Sequence, residues 1–376
     1  FSKRWSTESF SSKKIKKSKM QKSIVFVSNS LPTYDKDSGA NRLKEIIEEF
    51  LNANFECYFL TNENNSSSKY WKYFSEIGVT ILNVSEIEKI QTLKDVGFVW
   101  FNGPNSFKKN LNFVSQHLPK SKIIYDMVDV HFLRYKRSLL LNPFKISDYK
   151  RYFKYKKIET KLIKKASIVV AISEKEKELI SKYVSPEKVI TISNIHYPKV
   201  SKAEIPTFNL RQNILFIGSK HTPNIDAIYF LYNEVMPKVW KTNKDIKVQI
   251  IGDVAEEIKG ISHPMFEFLG YVPNVVSYFL NSKLMVAPLR YGAGVKGKIG
   301  QAFEYYLPVI TTDIGAEGMN LTNNHHAMIT NDSSEFAAKI IELYQNEELW
   351  QKLSNASEDS LKPFSKEHLR NVIQSI

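Results

Sequence analysis

Three glycines in six residues, two lysines one residue apart and a helix-forming stretch follow one another in "YGAGVKGKIGQAFEYY", residues 291–306. Glycines let backbone N–H groups approach an anion closely. A helix N-terminus adds partial positive charge, and Lys296 and Lys298 add whole charges. The chemistry these residue types support is the holding of a phosphate, and their spacing suits a diphosphate. The pattern is neither a Walker loop nor GxGxxG. A surface turn with solvated lysines would read the same way from the loop alone. Gly292, Gly294, Val295, Lys296 and Lys298 are the candidate ligands.

Three other loops carry residues of similar use. "FIGSKHTPN" (216–224) runs from a strand through Gly218, Lys220 and His221 to a Pro-Asn helix start. Asn224 is expected to cap the helix that begins "IDAIYF", and Lys220 to reach a phosphate from the opposite wall. "PTYDKDSGANR" (32–42) offers Gly39 for close backbone approach, with Asp35 and Asp37 for sugar hydroxyls. "YDMVDVHFLRYKR" (125–137) gathers Asp126, Asp129, His131 and Arg134. A His and an Asp at a strand end facing a cleft polarise hydroxyls or stabilise developing charge. Each loop also has a plain reading, as an ordinary strand-to-helix turn, solvated acids or a structural cluster. No Cys/His set has metal spacing and no Ser-His-Asp order stands out, so no metal is expected, nor any cofactor beyond the substrates.

The elements that must position these residues alternate. "SIVFVS", "FECYFLT", "GVTILNV", "GFVWFNG", "KIIYDMVD", "SIVVAIS" and "KVITISN" read as continuous apolar strands with helical patterns between them. Such strands imply a parallel sheet covered on both faces. Residues 196–212 hold two prolines and no periodicity and read as a linker. The alternation then restarts with "NILFIGS", a helix over 224–241, "KVQIIGD", "FEFLGYV", "KLMVAPLR", a helix from about 298, and "PVITTDIG". Helices are expected over 333–345, 346–360 and 366–375. The fold class is therefore α/β, with doubly wound domains at 23–195 and 213–355 and a helical segment at 356–376. A ligand belongs outside the carboxyl ends of the strands, in the cleft the two domains face.

The chain has 376 residues and a net charge of +14. Half of that excess lies in residues 1–22, a Ser/Lys-rich stretch that cannot build a core and reads as a disordered tail. A second block, 145–165, has nine Lys/Arg against Asp148 and Glu159, with Tyr149, Tyr152, Phe153 and Tyr155 interleaved. Basic side chains and aromatic rings together suit an anionic membrane surface. No apolar run approaches the ~18 residues of a membrane span, and residues 1–22 hold no signal-peptide core. A start at Phe1 rather than Met reads as a piece of a longer protein or as a trimmed chain. Cys57, in "FECYFL", reads as a buried small residue suited to a reducing compartment. A nucleic-acid partner is not expected, because no reader motif is present.

Taken together, "DKDSG", "YDMVDVHFLR", "VVAISEKE", "HTPNIDA" and "APLRYGAGVKGKIGQAFEYYLPVITTDIGAEGM" resemble the retaining glycosyltransferases of family 4, a bacterial subgroup in particular, over roughly residues 23–360. The resemblance implies the GT-B fold, two Rossmann-like domains, with nucleotide-sugar mainly on the second and the acceptor side on the first. It implies that the Gly294–Lys298 loop and Lys220 hold the diphosphate, that the Gly39 loop approaches from the first domain, and that His131 lies near the donor sugar; Asp129, from the residue reading above, is the second catalytic candidate. The resemblance further implies a glycan or lipid-linked acceptor, retention of configuration without metal, and a cytoplasmic enzyme at the inner face of the membrane in polysaccharide or glycoconjugate assembly. One departure stands out. The wider family has two glutamates eight positions apart where this chain has Ala293 and Gln301. Gln301 can still hydrogen-bond a ribose hydroxyl through its amide, while Glu304 and Glu317 are the nearest replacements for the missing carboxylates. The alternative reading is a catalytically weakened sugar-nucleotide-binding module.

Overall fold

The computed structural model describes residues 22–36, 38–93 and 96–376. The proposed basic tail up to residue 21, and Asp37, lie outside the described residues. The first sheet is formed by β1 (Ser23–Val27), β2 (Glu56–Thr61), β3 (Thr80–Asn83), β4 (Val96–Asn102), β5 (Lys122–Asp126), β6 (Ile168–Ala171) and β7 (Val189–Thr191). Their order is β3-β2-β1-β4-β5-β6-β7, and every pairing is parallel. The second contains β8 (Gln212–Ile217), β9 (Val248–Ile251), β10 (Phe266–Gly270), β11 (Ser282–Ala287), β12 (Val309–Thr311) and β13 (Met328–Ile329), in the order β10-β9-β8-β11-β12-β13. Each sheet is buried on both faces by its own pair of apolar clusters, as continuous Val/Ile/Phe strands require. The switch points fall between β1 and β4 and between β8 and β11. There the loops leading to Gly39, Gly103, Gly218 and Gly292 leave the carboxyl ends.

Seven helices matter for the site: α1 (Ser38–Asn52), α2 (His131–Leu141), α3 (Ile146–Ile163), α4 (Glu174–Ile180), α5 (Thr222–Phe230), α6 (Gly297–Glu304) and α7 (Lys366–Gln374). α5 starts two residues before the expected 224. Pro223 sits in its first turn, where its fixed φ and missing N–H cost nothing. Asn224 therefore lies inside the helix, and His221 is the residue that precedes it. The expected single helix over 224–241 is broken by a π turn at Leu231–Val235 just before Pro237, which cannot supply the N–H that an α turn needs.

The linker is more embedded than its sequence suggests. Arg211 is buried, stacks over Trp350 at 4.8 Å and donates to the carbonyls of Phe279 and Ser282 at 3.1 Å each. The end of the 196–212 stretch thus belongs to the second domain. The chain crosses between domains twice, and the crossings are tied together where His196 N–H donates to the Phe364 carbonyl at 2.9 Å. Leu361 and Phe364 pack into the second domain, while α7 returns to the first. There Leu369 and Ile373 enter the first domain's core, and Arg370 pairs with Glu49 at 3.1 Å.

Candidate functional site

The glycine-rich loop of 292–297 joins β11 to α6 at the second switch point. Gly292 (φ 151°) and Gly294 (φ 71°) hold backbone conformations that side chains avoid. A Cβ at Gly297 would stand 2.5 Å from Ser38 Cβ. The N-terminus of α6 therefore abuts the N-terminus of α1, and two positive helix ends from two domains converge. Lys296 Nζ folds back onto the carbonyls of Ala293 (2.9 Å) and Gly294 (2.5 Å). Lys298 Nζ donates to Asn224 Oδ1 at 2.6 Å and lies 4.4 Å from the centre of the Phe216 ring. Both lysines are half-buried, and neither pairs with a carboxylate among the described residues. Burial pushes the Lys296 ammonium down to about 8, although Glu317 and Glu176 favour its charge. Burial and the neighbouring Lys296 push Lys298 down to about 7. Two desolvated cations without counter-ions at a helix N-terminus are a place for an anion.

The facing wall comes from the ends of β5 and β6. Asp126 is fully buried in an ion pair with Arg42 at 2.6 Å, and Arg42 also donates to the Ile192 carbonyl. That pair clamps α1 to β5 and β7 and takes no part in the cleft. Val128 follows with φ 64°, a strained conformation for a β-branched residue. His131 opens α2. Its Nδ1 lies 2.8 Å from Glu159 Oε1 and 3.1 Å from Asp129 Oδ1, and its ring stacks on Tyr155. The hydrogen bond to Glu159 fixes the hydrogen on Nδ1 and leaves Nε2 as the free nitrogen. Glu159 also accepts the N–H groups of His131 and Phe132, so this buried acid caps α2 while orienting its first residue.

A seam of interdomain contacts closes the cleft. Arg137 grips Glu317 through both nitrogens, at 2.9 and 2.8 Å, and donates to the Gly292 carbonyl at 2.9 Å. Arg134 contacts Asp129 and approaches His221 Nε2 at 2.9 Å. Burial and the Arg134 charge push His221 down to about 4, so its Nε2 accepts. Gly294 N–H donates to Glu176 Oε1 at 2.8 Å. Glu176, on α4, is 1% exposed and its Oε2 has no partner. Burial raises this carboxyl to about 7 against the pull of the Gly294 N–H and Lys296.

Gly218, His221, Asn224, the 292–298 loop, Asp129 and His131 are thus gathered at one junction of the two domains, with Gly39 in the first turn of α1 next to Ser38, which meets Gly297. Gln301 lies half-buried on α6, about one turn beyond Lys298. Val295 packs its side chain into the apolar cluster of the second domain, leaving its backbone at the loop. Lys220 is not gathered in. It is exposed and turns to Glu257 (2.5 Å) and Glu256 (3.4 Å), so its charge is met by neighbouring acids. Asp35 is likewise occupied, by Lys69 and Tyr70. Neither proposed replacement carboxylate is free, since Glu317 is held by Arg137 and Glu304 pairs with linker His196 at 2.9 Å. The carboxylate that does reach the loop is Glu176. Its Ser173-x-x-Glu176 spacing reads as a helix capping box, and Ser173 Oγ does accept the Glu176 N–H. The glutamate side chain instead leaves its own helix for Gly294. Arg137 and Glu159 gave no signal beyond their place in a basic stretch.

Residues 211–346 match the family model of Glycosyl transferases group 1. Solved structures cover nearly the whole chain. Anabaena HepE with UDP and glucose has a TM-score of 0.66 at 11% identity, over 94% of this chain and 98% of that one. A variant of S. aureus TarM has a TM-score of 0.70 at 12% identity, over 94% and 99%. The apo lipopolysaccharide outer core galactosyltransferase WaaB has a TM-score of 0.59 at 12% identity, over 95% and 99%. The fold is GT-B. An uncharacterized 44.6 kDa protein in cps region, from Klebsiella pneumoniae, is 31% identical over 169 residues, 40% of this chain and 42% of that relative. The chain thus matches less than half the length of that relative. Within the GT-B frame, the lysine-bearing loop lies in the stretch matched by that model and the His131 wall in the other domain.

Proposed function

We propose that this chain is a glycosyltransferase that moves a sugar from a nucleotide-sugar donor to a glycan or lipid-linked acceptor, with retention of anomeric configuration. The observation that carries the reading is the junction of α1 and α6. Two helix N-termini meet there beside Lys296 and Lys298, two half-buried cations without counter-ions among the described residues. A donor diphosphate supplies the missing negative charge. In this reading the bond from the anomeric carbon to the phosphate oxygen breaks as the acceptor hydroxyl attacks from the same face. A phosphate oxygen takes the hydroxyl proton, and the lysines with the α6 dipole stabilise the charge gathering on the leaving group. His131, held by Glu159, presents Nε2 toward the sugar. The diphosphate charge is met by the protein alone, so activity is expected to survive a chelator.

HepE was solved with UDP and glucose, and the TarM variant with UDP and a glycerol-linked GlcNAc; both support donor and acceptor of this kind here. The relative in the cps region and the lipopolysaccharide transferase support a role in bacterial surface polysaccharide or glycoconjugate assembly, at the cytoplasmic face of the membrane. The competing reading is a sugar-nucleotide-binding module with weakened catalysis, favoured by the engagement of both Glu304 and Glu317 elsewhere. The test is incubation with UDP-, GDP- and dTDP-sugars and an acceptor extract, following free nucleoside diphosphate and the anomeric proton of the product by NMR. Turnover with the donor's configuration kept supports the proposal. Binding without release of diphosphate supports the weakened module.

A further inference from the structure

The α2–α3 hairpin carries a feature that donor chemistry does not use. Six of the nine exposed large hydrophobic side chains among the described residues fall within 140–153: Leu140, Leu141, Phe144, Ile146, Tyr149 and Phe153. Phe144 is 91% exposed, Leu140 74% and Ile146 69%, at the corner where the two helices join. The corner is braced from inside. Asp148 is buried, accepts from Ser138 Oγ at 2.6 Å and pairs with Lys145 at 3.1 Å. Tyr135 and Tyr155 stack between the helices. Of the four aromatics in the basic block, Tyr152 and Tyr155 pack inward and Tyr149 and Phe153 face out. The only acids of residues 131–165, Asp148 and Glu159, are both buried. The outer surface therefore shows Lys136, Lys150, Arg151, Lys154 and Lys157 around an apolar tip.

We propose that this corner inserts into an anionic lipid bilayer, with Leu140, Phe144 and Ile146 entering the acyl boundary and the lysines meeting headgroup phosphates. Charge complementarity selects the occupant. An apolar tip ringed only by cations repels a second copy of itself, while an anionic bilayer offers both hydrocarbon and negative charge. The placement also has a use. α2 starts at His131 in the cleft and ends at the corner, about 16 Å away at ~1.5 Å per residue. A docked bilayer would hold the cleft within reach of a lipid-linked acceptor. The surface stands independently of the transferase reading, since its test needs no donor.

The test uses the full chain. Phe144→Cys is labelled with a polarity-sensitive fluorophore, native Cys57 being buried and its thiol pushed up to about 12. Lys244→Cys, exposed on the second domain, is the control. Vesicles of phosphatidylglycerol with phosphatidylcholine should raise the Phe144→Cys emission several-fold with a blue shift at low salt. Pure phosphatidylcholine, and the control label, should give no change. Each Lys or Arg near an anionic surface multiplies partitioning about fivefold. Replacing Lys150, Arg151, Lys154 and Lys157 with Gln should therefore weaken the response at least about a hundredfold. Vesicle binding with a silent label at 144 would assign the attachment to other residues and overturn the proposal. So would a label response to duplex DNA or to self-association in place of lipid.

Discussion

Lys298 and Lys296, held down to about 7 and about 8, make the site's response to pH a property of two side chains. An anion placed beside them restores their charge, so nucleoside-diphosphate binding takes up protons and weakens as pH rises from 7 to 9. Calorimetry in two buffers of different ionisation enthalpy reads this directly, and binding without proton uptake at pH 8 would place the anion elsewhere. Glu176 acts in the opposite sense. Its carboxyl is raised in the folded chain, so the stability it contributes is full below the unfolded carboxylate pKa and is lost as pH rises through about 7. Glu176→Gln should flatten the pH dependence of the melting temperature between 4.5 and 7. It should also tighten diphosphate binding at pH 8, because it removes a negative charge that competes for the Gly294 N–H. Weaker binding would mean that the ionised carboxylate supports the loop. His131→Ala should cut turnover at least tenfold while nucleotide affinity stays within about twofold, and equal loss of both would make it structural. Residue types in the sequence mark where charge lies; they do not mark which charge is already paired. Lys220, Asp35, Glu304 and Glu317 read as free groups and are paired, while Glu176 is not among the sequence candidates and reaches the other domain. Pairings across 118 or 180 residues leave no trace in local spacing.

At the scale of elements, the contact of α1 with α6 is the part most open to perturbation. Gly297→Ala places a methyl 2.5 Å from Ser38 Cβ, so the two helix ends must separate. Crowding of this kind costs about 1–3 kcal/mol. We expect donor affinity to fall roughly tenfold or more while far-UV circular dichroism stays native. Unchanged affinity would show that the two ends need not meet. Strands and helices were legible because parallel strands buried on both faces are continuously apolar, and helices between them carry a one-sided period. The exceptions have physical causes. β13 has two residues and no pattern of its own. The π turn before Pro237 sits within a stretch that keeps its apolar residues. The basic block of 145–165 hides the inward turn of half its aromatics, because alternating tyrosines and lysines fit more than one helical face.

At the scale of the whole molecule, two Rossmann-like halves are joined by a double crossing and by the Arg137–Glu317 pair. α7, separated from the first domain by the entire second one, completes the first domain's core, which no local pattern in 366–375 announces. We propose that a nucleotide-sugar lies between these halves with its diphosphate on Lys296 and Lys298. The most direct test is a thermal-shift panel of UDP-, GDP- and dTDP-sugars on the native chain and on the Lys296→Ala, Lys298→Ala double variant. A ligand at 100 times its dissociation constant stabilises the folded state by ~2.7 kcal/mol. At least one donor should therefore raise the native melting temperature by several degrees, and the double variant, itself folded, should show no shift with that donor. A panel that leaves the native chain unmoved, or moves both proteins equally, would contradict the account.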